Sequence, residues 1–202
     1  MRVTVLVVLA MALAACAPGP RATPDVRYYD LGPLAKAPEH GSFAGLRSVE
    51  VFAPSWLDSA ALQYRQTQLN SQRRQNFAES RWVAPPAELV AQALRRTLLA
   101  GAARGGCKLR VDLDEFVQVF DATASSRALI EARVQLVSPG AAELLARQAF
   151  IVERLAAGAD AAGGVQALSA ATERLAALIG EWLAGLERSP AQGSGIAARC
   201  SA

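Results

Sequence analysis

Residues 128–137 limit the folding options of this chain more than any other stretch. Ala128, Ile130, Ala132, Val134 and Leu136 alternate with Leu129, Glu131, Arg133, Gln135 and Val137. Successive side chains of a strand point to opposite faces, so this period of two predicts a strand with one buried face. It is the middle one of three consecutive strands. Before it, Leu109, Val111 and Leu113 alternate with Arg110, Asp112 and Asp114, and 121–126 forms the turn between the two. After it, Ser138, Pro139 and Gly140 turn the chain into a third strand over 143–153. Beyond Glu115 the alternation breaks, with Phe116 and Phe120 set against Val117 and Val119. A β-bulge, or a change from one-sided to two-sided burial, accounts for such a break.

The remaining periodicities complete the pattern. Strands are predicted over 27–31, 46–52, 62–69 and 77–83, the last anchored by Trp82. The polar residues 36–45 read as loop, and 70–76 as a hairpin tip. Pro85 and Pro86 open a helix, because proline at the first turn forfeits no hydrogen bond. Leu89, Val90, Ala93, Leu94, Thr97 and Leu98 give it helical spacing, and Gly101 with Gly105 and Gly106 stops it. A small-residue connector, 156–164, leads to a second helix over 165–186. There Leu168, Thr172, Leu175, Ile179, Trp182 and Leu186 form one apolar stripe. Strands, helix, three strands, helix is not the alternation of a doubly wound sheet. The expectation is an α+β domain, a mostly antiparallel sheet with two α-helices packed on one face.

The N-terminus obeys different rules. Met1 and Arg2 precede an apolar run from Val3 to Leu13, broken only by Thr4, and small residues lead into Cys16. This is the pattern of a secretory signal peptide, and the run is too short to span a bilayer alone. Removal of 1–15 from the 202 residues leaves 187, enough for one domain, over 27–188. Residues 16–26 form a linker with Pro18, Pro20 and Pro24, and 189–202 a flexible polar tail. The formal charge of +3 becomes +2 once Arg2 is removed. Beyond Arg73-Arg74 and Arg95-Arg96 no basic cluster exists, so a nucleic-acid partner has no footprint. With Cys16 at the cleavage point, Cys107 and Cys200 remain as an even pair in an oxidising compartment. They are expected to form a disulfide; the alternative is two unpaired thiols.

No catalytic, metal or cofactor constellation stands out. His40 is the only histidine, in a turn-rich loop beside Glu39, and no Gly-x-Ser-x-Gly elbow accompanies it. Asp112, Asp114 and Glu115 read as a solvated strand face. The glycines of 101–106 lack the Gly-Lys-Ser/Thr ending of a phosphate loop. Trp82 and Trp182 read as core; Trp56, in a predicted turn, is either core or an exposed contact. Tyr64, Arg65, Arg73 and Arg74 are the candidate partner surface, since tyrosine and arginine are favoured at interface hot spots, against the alternative of a wet hairpin.

Two resemblances bear on role. Leu13-Ala14-Ala15-Cys16 resembles the lipobox of bacterial lipoproteins, which implies cleavage after Ala15 and acylation of Cys16. Ala17, where an Asp would retain the protein at the inner membrane, implies sorting to the outer membrane. Arg27-Tyr28-Tyr29-Asp30-Leu31, Val51 to Asp58, Leu62-Gln63-Tyr64-Arg65, and Glu79-Ser80-Arg81-Trp82 with Pro85-Pro86 follow in the order of motifs in the ABC-type transport auxiliary lipoproteins, which the chain resembles over nearly its whole mature length. Val83-Ala84 stands where many members have an Ala-Glu step. The resemblance implies a non-enzymatic accessory of an ABC-type, Mce-linked lipid-transport system, docking in the periplasm to an Mce-domain protein. Homo-oligomeric rings occur in that family, so the resemblance also implies self-association; no cofactor is expected. The alternative is a structural lipoprotein that assists assembly of another outer-membrane complex; a periplasmic enzyme would need His40 as its base.

Overall fold

A computed structural model describes residues 25–33, 43–99, 105–141, 143–188 and 193–200. Cys16, the rest of the signal and most of the linker, His40 with most of its loop, and Gly101 lie outside them. Seven strands form one sheet: β1 (Arg27–Tyr29), β2 (Leu46–Phe52), β3 (Ala61–Gln66), β4 (Ser71–Trp82), β5 (Cys107–Ala122), β6 (Ser125–Val137) and β7 (Leu144–Leu155). The helices are α1 (Thr67–Asn70), α2 (Pro86–Leu98), α3 (Ala161–Arg188) and α4 (Gly193–Cys200). Their class is α+β, as the periodicities predict.

The sheet is mixed, which corrects the expectation of a mostly antiparallel one. Strands run β1-β4-β3-β5-β6-β7, with β2 also on β5. The β3–β4, β5–β6 and β6–β7 pairs are antiparallel, whereas β1–β4, β2–β5 and β3–β5 are parallel. The reason is the length of β5, sixteen residues. Its first half carries β2 along 107–112, and its last turns carry β3 at 118–120, both on one edge. One long strand thus accepts two short ones, and the segment holding α2 crosses back between β2 and β5 to make their pairing parallel.

Register along β5–β6 sorts the faces. Leu109, Val111, Leu113 and Phe116 stand opposite Leu136, Val134, Ala132 and Ile130, all buried and on the side where α3 packs. The register shifts between Leu113 and Glu115, where Asp114 is the extra residue. Both explanations of the broken alternation hold: this is a bulge, and beyond it Phe116, Val117, Gln118 and Val119 are all buried, on both faces. Helix α2 packs on β2 and against α3, and Arg95 Nε donates to the Val49 carbonyl at 3.0 Å.

Two departures from the expected elements have local causes. Helix α3 begins at Ala161, inside the expected connector. Asp160 Oδ1 accepts from the Gly163 N–H at 2.7 Å, which caps the first turn. Glycine is required at 163, since a Cβ there would lie 2.2 Å from the Gly158 carbonyl oxygen, and Gly164 lies against the side chain of Gln118. The segment expected as a flexible tail holds α4, whose Ile196 and Cys200 are buried. Cys200 is bonded to Cys107, 93 residues away, with the Cα atoms 4.9 Å apart. The Gly106 N–H donates to the Cys200 carbonyl, and Arg199 pairs with Glu143 at 2.6 Å. Glycine at 105 serves this junction, because a Cβ there would sit 2.1 Å from the Gly45 carbonyl oxygen. Tied so, α4 closes the end of the core at the start of β5.

A bond across 93 residues removes chain entropy worth about 4–5 kcal/mol from the unfolded state. Denaturant titration with and without reductant should therefore show a loss of that order on reduction. An unchanged midpoint would mean that α4 contributes nothing to the fold.

Candidate interaction surface

The five residues singled out from the sequence occupy four different settings. Arg65 and Arg74, on β3 and β4, converge on Glu115 at the bulge of β5. Arg65 Nη2 lies 2.7 Å from Glu115 Oε2, and Arg74 donates from Nη1 and Nη2 to Oε1 and Oε2 at 2.8 and 2.9 Å. Arg74 holds the carboxylate in a fork, the arrangement that gives a guanidinium–carboxylate pair both strength and direction. The Glu115 side chain is only 10% exposed. The reading of Glu115 as part of a solvated face is thus corrected; Asp112 and Asp114 do lie on the outer face, paired with Arg110 and Arg133. The register shift at Asp114 turns Glu115 toward β3 and β4, where two half-buried arginines would otherwise lack a counter-charge.

The cluster reaches outward. Arg74 Nη1 also donates to Gln63 Oε1 at 2.9 Å, and Gln63 Nε2 donates to the Trp56 carbonyl at 2.8 Å. Trp56 is the middle residue of a 3-10 turn, Ser55–Leu57, whose Leu57 is buried in the core. The indole itself is 56% exposed. A buried charge cluster on one side and a core leucine on the other thus hold this aromatic out toward solvent. Tyr64 belongs to the opposite face of β3. It packs with Phe77 and Phe120, at ring-centroid distances of 4.6 and 5.6 Å, and is half-buried. Arg73 is exposed near the β3–β4 tip, where α1 replaces the last residues of the strand expected over 62–69 and β4 runs through nearly all of the loop expected over 70–76. Arg65 and Arg74 are therefore scaffold, and Trp56 and Arg73 are the outward-facing members of the set.

A second surface lies at β1. Tyr28 is exposed, and the Val83 N–H donates to the Tyr29 carbonyl at 2.8 Å, which sets Val83 beside β1. A cleft of about 520 Å³ opens between this strand and α3, lined by Tyr28, Tyr29, Leu31, Val165 and Ser169 among others. Ser169 Oγ donates to the Leu31 carbonyl at 2.6 Å and closes its floor. A second cleft, of about 480 Å³, lies between β2 and α2 with Val51, Ala87, Gln92 and Arg95 in its wall. Exposed Val83 belongs to both. The sequence carried a signal for this ridge: Val83-Ala84, two uncharged residues between Trp82 and the helix-opening prolines. Among the described residues, no group of three or more His, Cys, Asp or Glu side chains is placed to hold a metal, and no helix is long and apolar enough to cross a membrane.

Comparison with known proteins accords with this architecture. The model of a family described as the ABC-type transport auxiliary lipoprotein component matches residues 29–180. The crystal structure of XCC0632 from Xanthomonas campestris, a DUF330 protein, superposes with a TM-score of 0.67 at 20% identity, over 79% of this chain and 96% of that one. A crystal structure of an uncharacterised protein superposes with a TM-score of 0.58 at 18% identity, over 77% and 97%. No curated protein matches. At these identities the solved structures share the fold and carry no role.

Removing one partner of a buried ion pair costs about 3–5 kcal/mol, because the charge left behind stays desolvated. Glu115→Ala should therefore destabilise by about that amount, against a change within about 0.5 kcal/mol for the solvent-exposed Glu181→Ala. Equal effects in denaturant titration would refute the buried cluster.

Proposed function

We propose, for a chain that belongs to the ABC-type transport auxiliary lipoprotein component family, the role of a membrane-anchored docking and binding module in an Mce-linked lipid-transport system. Lipid on Cys16 holds the domain at the outer membrane, and its body works in the periplasm without turnover. Two acyl chains or more make such an anchor stable, at about 0.8 kcal/mol per buried methylene. The Mce-domain protein of the same system is the partner.

The observation that carries this reading is the Val83 ridge with its two clefts, beside the strand at which the N-terminal segment joins the domain. Asp25 follows Cys16 by nine residues, a span of at most about 30 Å for an extended chain. An anchor at Cys16 therefore keeps Tyr28 and Val83 close to the bilayer, at the opposite end of the strand order from β7. Trp56 supports a protein contact in addition, since a half-exposed tryptophan on a fixed turn suits an interface anchor.

Intact-mass measurement of protein taken from envelope membranes should give a chain that begins at Cys16 and carries acyl mass; an unacylated chain would refute the anchor. Affinity capture should recover an Mce-domain protein. Trp56→Ala should cut that recovery about tenfold or more with the unfolding midpoint unchanged. Recovery of a different envelope assembly, with no Mce-domain protein, would favour the assembly-factor role instead.

A further inference from the structure

The cleft between β1 and α3 has a charge of its own. Its described lining includes the carboxylates of Asp30 and Glu173 and contains no lysine, arginine or histidine. Such a cleft repels a phosphate and accepts a cation. No group of three or more metal-ligating side chains is placed here among the described residues, so the charge does not suit a metal ion. The remaining wall suits an organic cation. Leu31 and Val165 make it apolar, and Tyr28 and Val83 stand exposed at its rim. At about 520 Å³ the cleft falls within the roughly 300–1,000 Å³ of small-ligand sites.

Asp30 is the carboxylate open to a ligand. Its Oδ1 accepts from the Gly32 N–H at 2.7 Å. Gly32 has φ +68°, a left-handed conformation that glycine adopts without strain, so the turn that holds Asp30 is fixed. Oδ2 makes no hydrogen bond or ion pair among the described residues, whereas Glu173 is already engaged. Tyr28 precedes Asp30 by two residues, lines the same cleft and is 68% exposed. An open aromatic face attracts an ammonium group through the ring quadrupole, and a nearby carboxylate adds the opposite charge. A cation stands outside the lining. Arg81 is the partner of Tyr28 in the β1–β4 register, and it donates from Nη1 to the carbonyls of Phe77 and Ser80, which leaves Nε and Nη2 unused among the described residues. Negative charge within the cleft and positive charge beside it match a zwitterion whose ammonium enters and whose phosphate stays out.

We propose that this cleft binds the headgroup of a zwitterionic phospholipid of the phosphatidylethanolamine class. The ammonium lies between Asp30 and Tyr28, its methylenes lie against Leu31 and Val165, and the phosphate lies on the Arg81 side. This assignment rests on the membrane-proximal position that the Cys16 anchor gives to Tyr28 and Val83. The test is a titration of the full-length acylated protein, extracted in nonionic detergent, with bound lipid counted by native mass spectrometry. The probes are dihexanoyl phosphatidylethanolamine, dihexanoyl phosphatidylglycerol and phosphoethanolamine without chains. The ethanolamine lipid should saturate at one per chain and bind at least about tenfold more tightly than either of the others. Asp30→Asn keeps an acceptor for the Gly32 N–H but loses the charge, and it should weaken that lipid about tenfold with the unfolding midpoint unchanged. Tyr28→Ala should weaken it at least about threefold. Equal binding of the glycerol lipid, or Asp30→Asn binding as the wild type does, would overturn the ammonium site. Phosphoethanolamine binding as tightly as the lipid would overturn the membrane as its source. Affinity capture from the same membranes separates the cleft from the role. Adducts that depend on Asp30 with no Mce-domain protein captured would uphold the cleft and refute the role, and capture without adducts would do the reverse.

Discussion

The architecture depends on one strand with more neighbours than a strand ordinarily has. β5 is long enough to hold β2 and β3 end to end on one edge and β6 along the whole of the other. That arrangement works only because of the extra residue at Asp114. Before it, β5 has a dry face and a wet face. After it, both faces are buried, and the strand becomes the interior of the sheet. The bulge also decides which side chain points toward β3 and β4, and it selects Glu115.

Glu115 then sets the geometry of everything around it. Two guanidiniums meet one carboxylate at the junction of β3, β4 and β5, so these strands cannot slide relative to one another without stranding a charge. Gln63 passes the constraint to the Trp56 turn. What appears on the surface as an isolated exposed indole is the end of a hydrogen-bonded chain that starts in the sheet. The disulfide plays a similar part at the start of β5, where α4 is fastened beside β2 and the glycines around it. The central strand is therefore locked at its middle by charge and at its start covalently.

The elements were legible in the sequence where burial was one-sided. The alternation of β6 and the stripe of α3 follow the two periodicities that side-chain geometry dictates, and both are present in the structure. The bulge was legible as one of two causes of a broken alternation, the other being two-sided burial, and the structure has both. Strand direction was not. Nothing local to 107–122 reveals that one edge is divided between two parallel neighbours, since that is fixed by where the crossovers land. The role of Glu115 was hidden for a related reason. An acid beside Asp112 and Asp114 has the composition of a wet face, and only the register places it against Arg65 and Arg74. Those arginines carried half of the signal, two cations in strands otherwise short of acids. The start of α3 was missed because Gly163 and Gly164 read as connector, when their lack of a Cβ is what lets the helix approach Gln118 and Gly158.

The proposed role joins three physical facts: a short N-terminal reach, an apolar ridge beside it, and a rigid body behind both. A photo-reactive amino acid at Val83, compared with one at Asp114 on the outer sheet face, tests that combination most directly in intact envelopes. The account predicts a crosslinked adduct with an Mce-domain protein or with lipid from Val83 and none from Asp114. No adduct from Val83, or the same adducts from both positions, would contradict it.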